Sequence, residues 1–258
     1  MKCGVADVKE NTIFVKRYAE DDAVFPVNEQ EIWRYSGYRE SADTVEDTLK
    51  NLLKEVQEEL KTSFSFKVCY RRVGIAWKDG MPMLPFASES KELAKCLEGC
   101  REVVLFAATI GLGLDRYLAR QQRVSPTKAL LAQAYGAERI EALCDVFCGE
   151  MEEVAKMDGL SCTMRFSPGY GDLPLTAQKD FFRLLDCNRQ IGVSLNDSLL
   201  MTPSKSVTAI LGLREEKGSD GVGMNFDMES KGAHACVGHA QNKCVKCPNV
   251  DCEYRRMK

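Results

Sequence analysis

Apolar residues at Val45, Leu49, Leu52, Leu53, Val56 and Leu60 recur at the three-and-four spacing that lines one face of a helix. Asp43 and Glu46 stand three apart at its head, the arrangement of a capping box. The period then changes. Phe64, Phe66, Val68 and Tyr70 alternate with polar or small residues, which predicts a half-buried strand. Residues 102–108 are nearly continuous apolar sequence, short enough for a buried strand, and residues 12–18 predict another. Ser125 and Pro126 supply an N-cap and a first-turn proline for a long helix reaching Lys156. Its stripe includes Leu130, Leu131, Ala134, Ile140, Leu143, Cys144, Phe147, Cys148 and Met151, with a break expected near Gly136. Residues 176–185 are expected as a further helix, 191–195 as a short extended piece and 206–213 as a strand. Helices and strands mix without a regular βα repeat, so the fold class is α+β with a twisted, largely antiparallel sheet.

Composition narrows the function classes. The 258 residues suit one main domain over residues 1–225 with a short Cys-rich tail over 226–258. With 45% hydrophobic and 28% charged residues the chain is an ordinary globular protein. Its 35 Lys and Arg against 38 Asp and Glu leave a net charge of −3 without a basic stripe, which argues against a nucleic-acid partner. No signal-peptide core opens the sequence, and no run reaches the roughly 18 apolar residues of a membrane span. A cytoplasmic location is expected, and there the 12 cysteines should be mostly reduced.

Gly111 and Gly113 sit between a strand and a helix, but a dinucleotide fingerprint would need a third glycine where Arg116 stands. A plain strand-to-helix turn is the better reading. Cys144 and Cys148 fall on an apolar stripe, Cys96 and Cys100 share that spacing beside Leu93 and Leu97, and both pairs read as core fillers. Cys3, Cys69, Cys162 and Cys187 are isolated in sequence. The tail differs: Cys236, Cys244, Cys247 and Cys252 lie close together with His234 and His239. So many soft ligands on a segment with little apolar content suggest a metal clip. Their spacing fits no standard zinc-finger or ferredoxin pattern, and a reduced, unmetallated tail is the alternative.

Arg165, followed by Ser167, Pro168, Gly169 and Tyr170, offers a fork-shaped cation beside a glycine that lets backbone approach a ligand. Such a site suits the carboxylate of an amino-acid headgroup; alone, the segment could equally be a surface turn. Downstream, Pro174, Lys179, Gly192, Leu195, Asp197, Ser198, Met201, Pro203, Ser206, Val207 and Thr208 follow in order. Together these residues resemble the S-adenosylmethionine-binding signature of the reactivation domain of cobalamin-dependent methionine synthase, with Thr208 in place of the last serine. Residues 29–39 resemble its early Tyr-Leu-Gly-Tyr-Arg segment, and residues 108–111 its Ala-Thr-x-Gly turn.

The resemblance implies a free-standing α+β domain that binds S-adenosylmethionine in a shallow groove and caps the corrinoid of a methyltransferase, most directly methionine synthase. An electron from a flavodoxin-like or ferredoxin-like donor would convert cob(II)alamin to cob(I)alamin, which takes the ligand's methyl group. Arg165 would hold the methionine carboxylate, backbone around Ser167 and Gly169 would receive the ligand, and Tyr170 would face cobalt. An acidic residue on the long helix, Glu141 or Glu138, would also contact the ligand. The family's early acidic ligand residue aligns near Ser36 or Gly37, where there is no carboxylate. Because this chemistry consumes an electron, an iron–sulfur cluster is favoured over zinc in the tail. Two other function classes stand beside this one: a methyltransferase acting alone on a small substrate, and a binding module that docks a corrinoid protein through the tail without using S-adenosylmethionine.

Overall fold

The computed structural model describes residues 12–19, 25–38 and 45–215. Five strands, β1 (Phe14–Tyr18), β2 (Phe66–Gly74), β5 (Cys100–Thr109), β6 (Leu160–Cys162) and β9 (Ser206–Glu215), form one sheet. Its order is β1-β2-β5-β9-β6, and every pairing is antiparallel. Two small hairpins lie outside it: β3 (Ala76–Lys78) with β4 (Met81–Met83), and β7 (Ser194–Leu195) with β8 (Met201–Thr202).

Both faces of the central strands are covered, which explains their continuous apolar sequence. Val68, Val104, Phe106, Ala108, Ala209, Leu211 and Leu213 point into one core. That core is closed by α1 (Glu29–Tyr35), α2 (Asp47–Leu60), α4 (Gly113–Val124) and α5 (Pro126–Met157). Their alternates Cys69, Val103, Leu105, Ala107 and Ile210 point into a second core, against α3 (Lys91–Cys96), α6 (Gln178–Leu185) and α7 (Cys187–Ile191). The expected α+β class with an antiparallel sheet is therefore what the chain forms.

Several local expectations change. Glu46 is the N-cap of α2 and makes no side-chain cap bond, so the helix starts after the expected capping box; Asp43 lies outside the described residues. Helix α5 runs unbroken for 32 residues, about 48 Å at 1.5 Å per residue. Gly136 does not interrupt it: a Cβ there would sit 2.1 Å from Leu114 Cδ2, so the glycine is what lets α4 press against α5. Leu130, assigned to the stripe, is 52% exposed, while its neighbour Leu131 is buried. Of the extended piece expected over 191–195, Ile191 instead closes α7 and only Ser194 and Leu195 are strand. Residues 176–185 open with a 3-10 turn, Leu175–Ala177, before α6.

Cys144 and Cys100 are buried, and Cys148 and Cys96 pack partly buried against the two cores, as expected of fillers. Cys69 and Cys187, remote in sequence, meet in the second core, where a hydrogen bond between them and burial hold the Cys187 thiol well above the usual range. Among the described residues no helix is long and apolar enough to cross a membrane.

Candidate functional site

Strand β6 ends at Cys162, and the chain continues along the outer edge of β9. Phe166 exchanges both backbone hydrogen bonds with Ile210, at 2.9 and 2.8 Å, and its ring enters the second core. Because side chains alternate along an extended segment, Arg165 is turned the other way, toward α5. Its guanidinium meets two carboxylates there. One Nη donates to Glu141 Oε2, and the other lies 3.5 Å from Asp145 Oδ1. Arg165 is only 8% exposed, whereas the Glu141 and Asp145 side chains retain 36% and 38% of their surface. The cluster is thus a cation at the bottom and two acids at the rim. Burial pushes the Glu141 carboxyl above its ordinary value, against the pull of Arg165. Arg34 and Tyr35, at the end of α1, lie close enough to feel Glu141, and Arg34 is itself held by Glu31.

Glu138, the other acidic residue expected to meet a ligand, is used differently. It accepts from Arg139 Nε at 2.6 Å and from the Asn28 N–H at 3.1 Å. Arg139, 1% exposed, also donates to the carbonyls of Phe25 at 2.7 Å and Pro26 at 3.1 Å. This buried pair fastens residues 25–28 to α5 and leaves Glu141 as the acid facing Arg165.

After Phe166 the chain makes a compact turn. Tyr170 N–H donates to the Ser167 carbonyl at 3.1 Å, and Gly169 N–H, at φ +92°, donates to the Leu173 carbonyl at 2.9 Å. Tyr170 stands at the apex, 46% exposed. Gly171 follows at φ +53°, where a Cβ would lie 2.0 Å from Glu92 Oε2. Asp172 then accepts from the Ser90 hydroxyl, from Lys91 N–H at 2.7 Å and from Glu92 N–H at 3.2 Å, capping α3 from outside. Although partial burial works the other way, those hydrogen bonds hold its carboxyl below the ordinary range. The turn is therefore pinned at both ends: to β9 by Phe166, to α3 by Asp172.

The second signature segment builds scaffold. Asn196 closes the β7–β8 hairpin by accepting from Leu200 N–H at 2.9 Å. Ser206 donates to the Pro203 carbonyl at 2.8 Å and sits 2.9 Å from Thr109 Oγ1, tying the start of β9 to the end of β5. Thr109 Oγ1 also accepts from Gly111 N–H at 3.1 Å, so the glycine turn is a strand-to-helix connection, as expected. A cleft of about 470 Å3 opens elsewhere, between the β3–β4 hairpin and α3, lined by Trp77, Met81, Lys91 and Lys95 and by none of the signature residues.

Residues 97–222 match the family described as vitamin B12 dependent methionine synthase, activation domain. Over those residues, just under half of its length, the chain is similar to this activation-domain family. A solved MetH reactivation domain bound to AdoHcy aligns over 79% of this chain and 79% of its own length at 12% identity, with a TM-score of 0.58. At that identity the likeness is one of fold, and it extends over more of the chain than the family match does. No curated protein sequence matches the chain.

Of the residues that the signature assigns to an activation-domain ligand, the fold joins Arg165 and Glu141 directly and sets Ser167, Gly169 and Tyr170 on the adjoining turn. Two participants were not anticipated: Asp145, one helical turn beyond Glu141, and Asp172, which anchors the turn. Cys236, Cys244, Cys247 and Cys252 lie outside the described residues. Burial raises the Cys148 thiol beside Arg165 to about 12, and Cys144 further still, so neither offers a thiolate near neutral pH.

Proposed function

We propose that this chain is an activation domain that binds S-adenosylmethionine at the Arg165 cluster and donates its methyl group to the cob(I)alamin of a methyltransferase, methionine synthase being the partner the matching family points to. The observation that carries the reading is the convergence of Arg165 with Glu141 and Asp145 beside the turn that presents Tyr170. A zwitterionic amino-acid head needs a cation for its carboxylate and an anion for its ammonium. The cluster holds both within one ion-pair network. In the free domain Arg165 pairs with Glu141, and the ligand would enter by exchanging that internal pair for two external ones. That a MetH reactivation domain binds AdoHcy supports the choice of ligand.

The chemistry divides between the proteins. A flavodoxin-like or ferredoxin-like donor supplies one electron to cob(II)alamin. The resulting cob(I)alamin uses its electron pair to bond the methyl carbon, the carbon–sulfur bond breaks, and S-adenosylhomocysteine departs. This chain supplies binding and orientation: Arg165 and Glu141 hold the head, and Tyr170, exposed at the apex, faces the corrinoid. In the same proposal, Cys236, Cys244, Cys247 and Cys252 hold an iron–sulfur cluster, or zinc if the tail is only structural.

The test is calorimetric titration with S-adenosylmethionine, followed by incubation with a cob(II)alamin-loaded methyltransferase and a chemical reductant. The expected result is saturable binding and a methylcobalamin spectrum that needs both domain and ligand. Methylcobalamin formed equally well without the domain would remove the proposed role. Anaerobic protein should show a visible band that bleaches on reduction, which serine replacement of the four tail cysteines abolishes; metal-free, colourless protein would remove the cluster.

A further inference from the structure

The cleft between the β3–β4 hairpin and α3 is lined by none of the signature residues, yet its walls are preformed. On one side Asp79 and Gly80, at φ +51° and +76°, make the two-residue turn that joins β3 to β4, a type whose twist matches the strands it connects. Trp77 Nε1 donates to the Cys100 carbonyl at 2.9 Å, which fixes the indole in the cleft wall with 37% of the residue exposed. On the other side Ser90 and Asp172 hold the first N–H groups of α3, Asp172 accepting from Lys91 N–H at 2.7 Å. A ligand entering here would not have to order the site first.

The lining sorts into two kinds of group. Trp77, Met81 and Ala94 are apolar, and an indole and a thioether both favour an aromatic partner. Lys91 and Lys95 bring two ammonium groups, four residues apart on α3, about 6 Å at 1.5 Å per residue. Both residues are exposed, so their stems can line the cleft while the charged heads stay in water at its rim. Glu98 completes this side, and a carboxylate there penalises a ligand carrying a long run of negative charge. The volume of about 470 Å3 lies within the range of about 300–1,000 Å3 usual for small-molecule sites.

We propose that this cleft is a ligand site of its own, for a planar aromatic molecule carrying one anionic group, a carboxylate or a phosphate. The ring packs against Trp77 and Met81, and the anion sits between Lys91 and Lys95. The proposal does not depend on the S-adenosylmethionine reading, because the cleft and the Arg165 cluster share no residue. The two places nevertheless meet through α3: Lys91, whose side chain lines the cleft, is bonded through its N–H to Asp172, two residues beyond Tyr170.

The test uses the two tryptophans of the chain, whose indole N–H signals in a 15N spectrum of the whole protein are told apart by Trp77→Phe. The probes are naphthalene-1-carboxylate and adenosine monophosphate, each compared with its uncharged counterpart, 1-naphthalenemethanol or adenosine. The anions should shift the Trp77 signal saturably and leave that of Trp33, 2% exposed, in place. Their affinity should exceed that of the neutral counterparts about five- to tenfold, an advantage that falls as salt is raised. Lys91→Gln combined with Lys95→Gln should remove the advantage and leave the neutral probes unaffected; both lysines are exposed, so the change tests the site without disturbing the core. A response to naphthalene-1-carboxylate alone narrows the ligand to a free aromatic acid, and a response to adenosine monophosphate alone to a nucleotide; either supports the site. No shift of the Trp77 signal with either anion, equal affinity for charged and neutral probes, or an advantage that survives the double substitution overturns it.

Discussion

Replacing Arg165 with Met keeps most of the apolar stem but removes the cation, and the structure sets the scale of two separate losses. The first is in the unliganded fold. Breaking a fully buried ion pair by deleting one partner costs about 3–5 kcal/mol. Here the surviving acids keep 36% and 38% of their side-chain surface, so water can take over much of their solvation. The cost should fall to about 1–3 kcal/mol. The second loss is in ligand binding, where a charge-assisted carboxylate contact disappears and leaves the ligand's charge unpaired. That corresponds to about 2–4 kcal/mol, or about 30- to 1000-fold in affinity. Urea unfolding measures the first, and titration with S-adenosylmethionine the second. Adding Glu141→Gln to Arg165→Met should recover part of the stability, because an unpaired carboxylate is removed, and none of the affinity. If the double variant regained both, Arg165 would act on the ligand only by restraining Glu141, and its role as carboxylate receptor would be wrong.

Gly136→Ala should destabilise the fold by about 1–3 kcal/mol, despite the better helix propensity of alanine, because the new methyl would lie 2.1 Å from Leu114 Cδ2; in a Leu114→Ala background the same change should become neutral or stabilising in urea unfolding. Asp172→Asn should cost about 1 kcal/mol at neutral pH, the scale of an ordinary cap. Since the folded-state carboxyl lies below its reference value of 3.8, this stabilisation is full above that pH and is lost as pH falls through the folded value. The stability gap between wild type and Asp172→Asn should therefore close on acidification below about 3.8, and a gap constant with pH would show that the charge is not what caps α3. Tyr170→Phe should bind S-adenosylmethionine almost normally yet slow methylcobalamin formation; equal losses in both would move the hydroxyl into the ligand pocket.

The parts of the fold that could be read in advance are those whose burial imposes a period. Strands β2, β5 and β9 and helix α5 each contribute to a core, and their apolar residues announce it. The hairpin β3–β4 has strands of only three residues, those of β3 all on the surface side, and so carries no period. Helix α3 is six residues long, below what propensity sustains alone; it depends on Ser90 and on the distant Asp172 for its first N–H groups. No window of sequence contains both.

The same reasoning applies to the site, with one difference. Arg165 and its turn could be recognised because their residue types are specific and contiguous, while Asp145 enters only because an arginine 20 positions later in the chain folds back onto α5. Yet a sign of it was present. Glu138, Glu141 and Asp145 recur at the three-and-four spacing of a helical stripe, running beside the apolar one. A solvated stripe of that kind normally finds lysine or arginine three or four residues away on its own helix. Position 134 is Ala, 137 is Ala, 144 is Cys, 148 is Cys and 149 is Gly, so the lower two acids have no local cation at those distances. An acidic stripe without basic neighbours on its own helix must be answered from another segment or by a ligand. On α5 the answer comes first from other residues: Arg139 takes Glu138 to anchor residues 25–28, and Arg165, from a segment 20 or more positions later, meets Glu141 and Asp145.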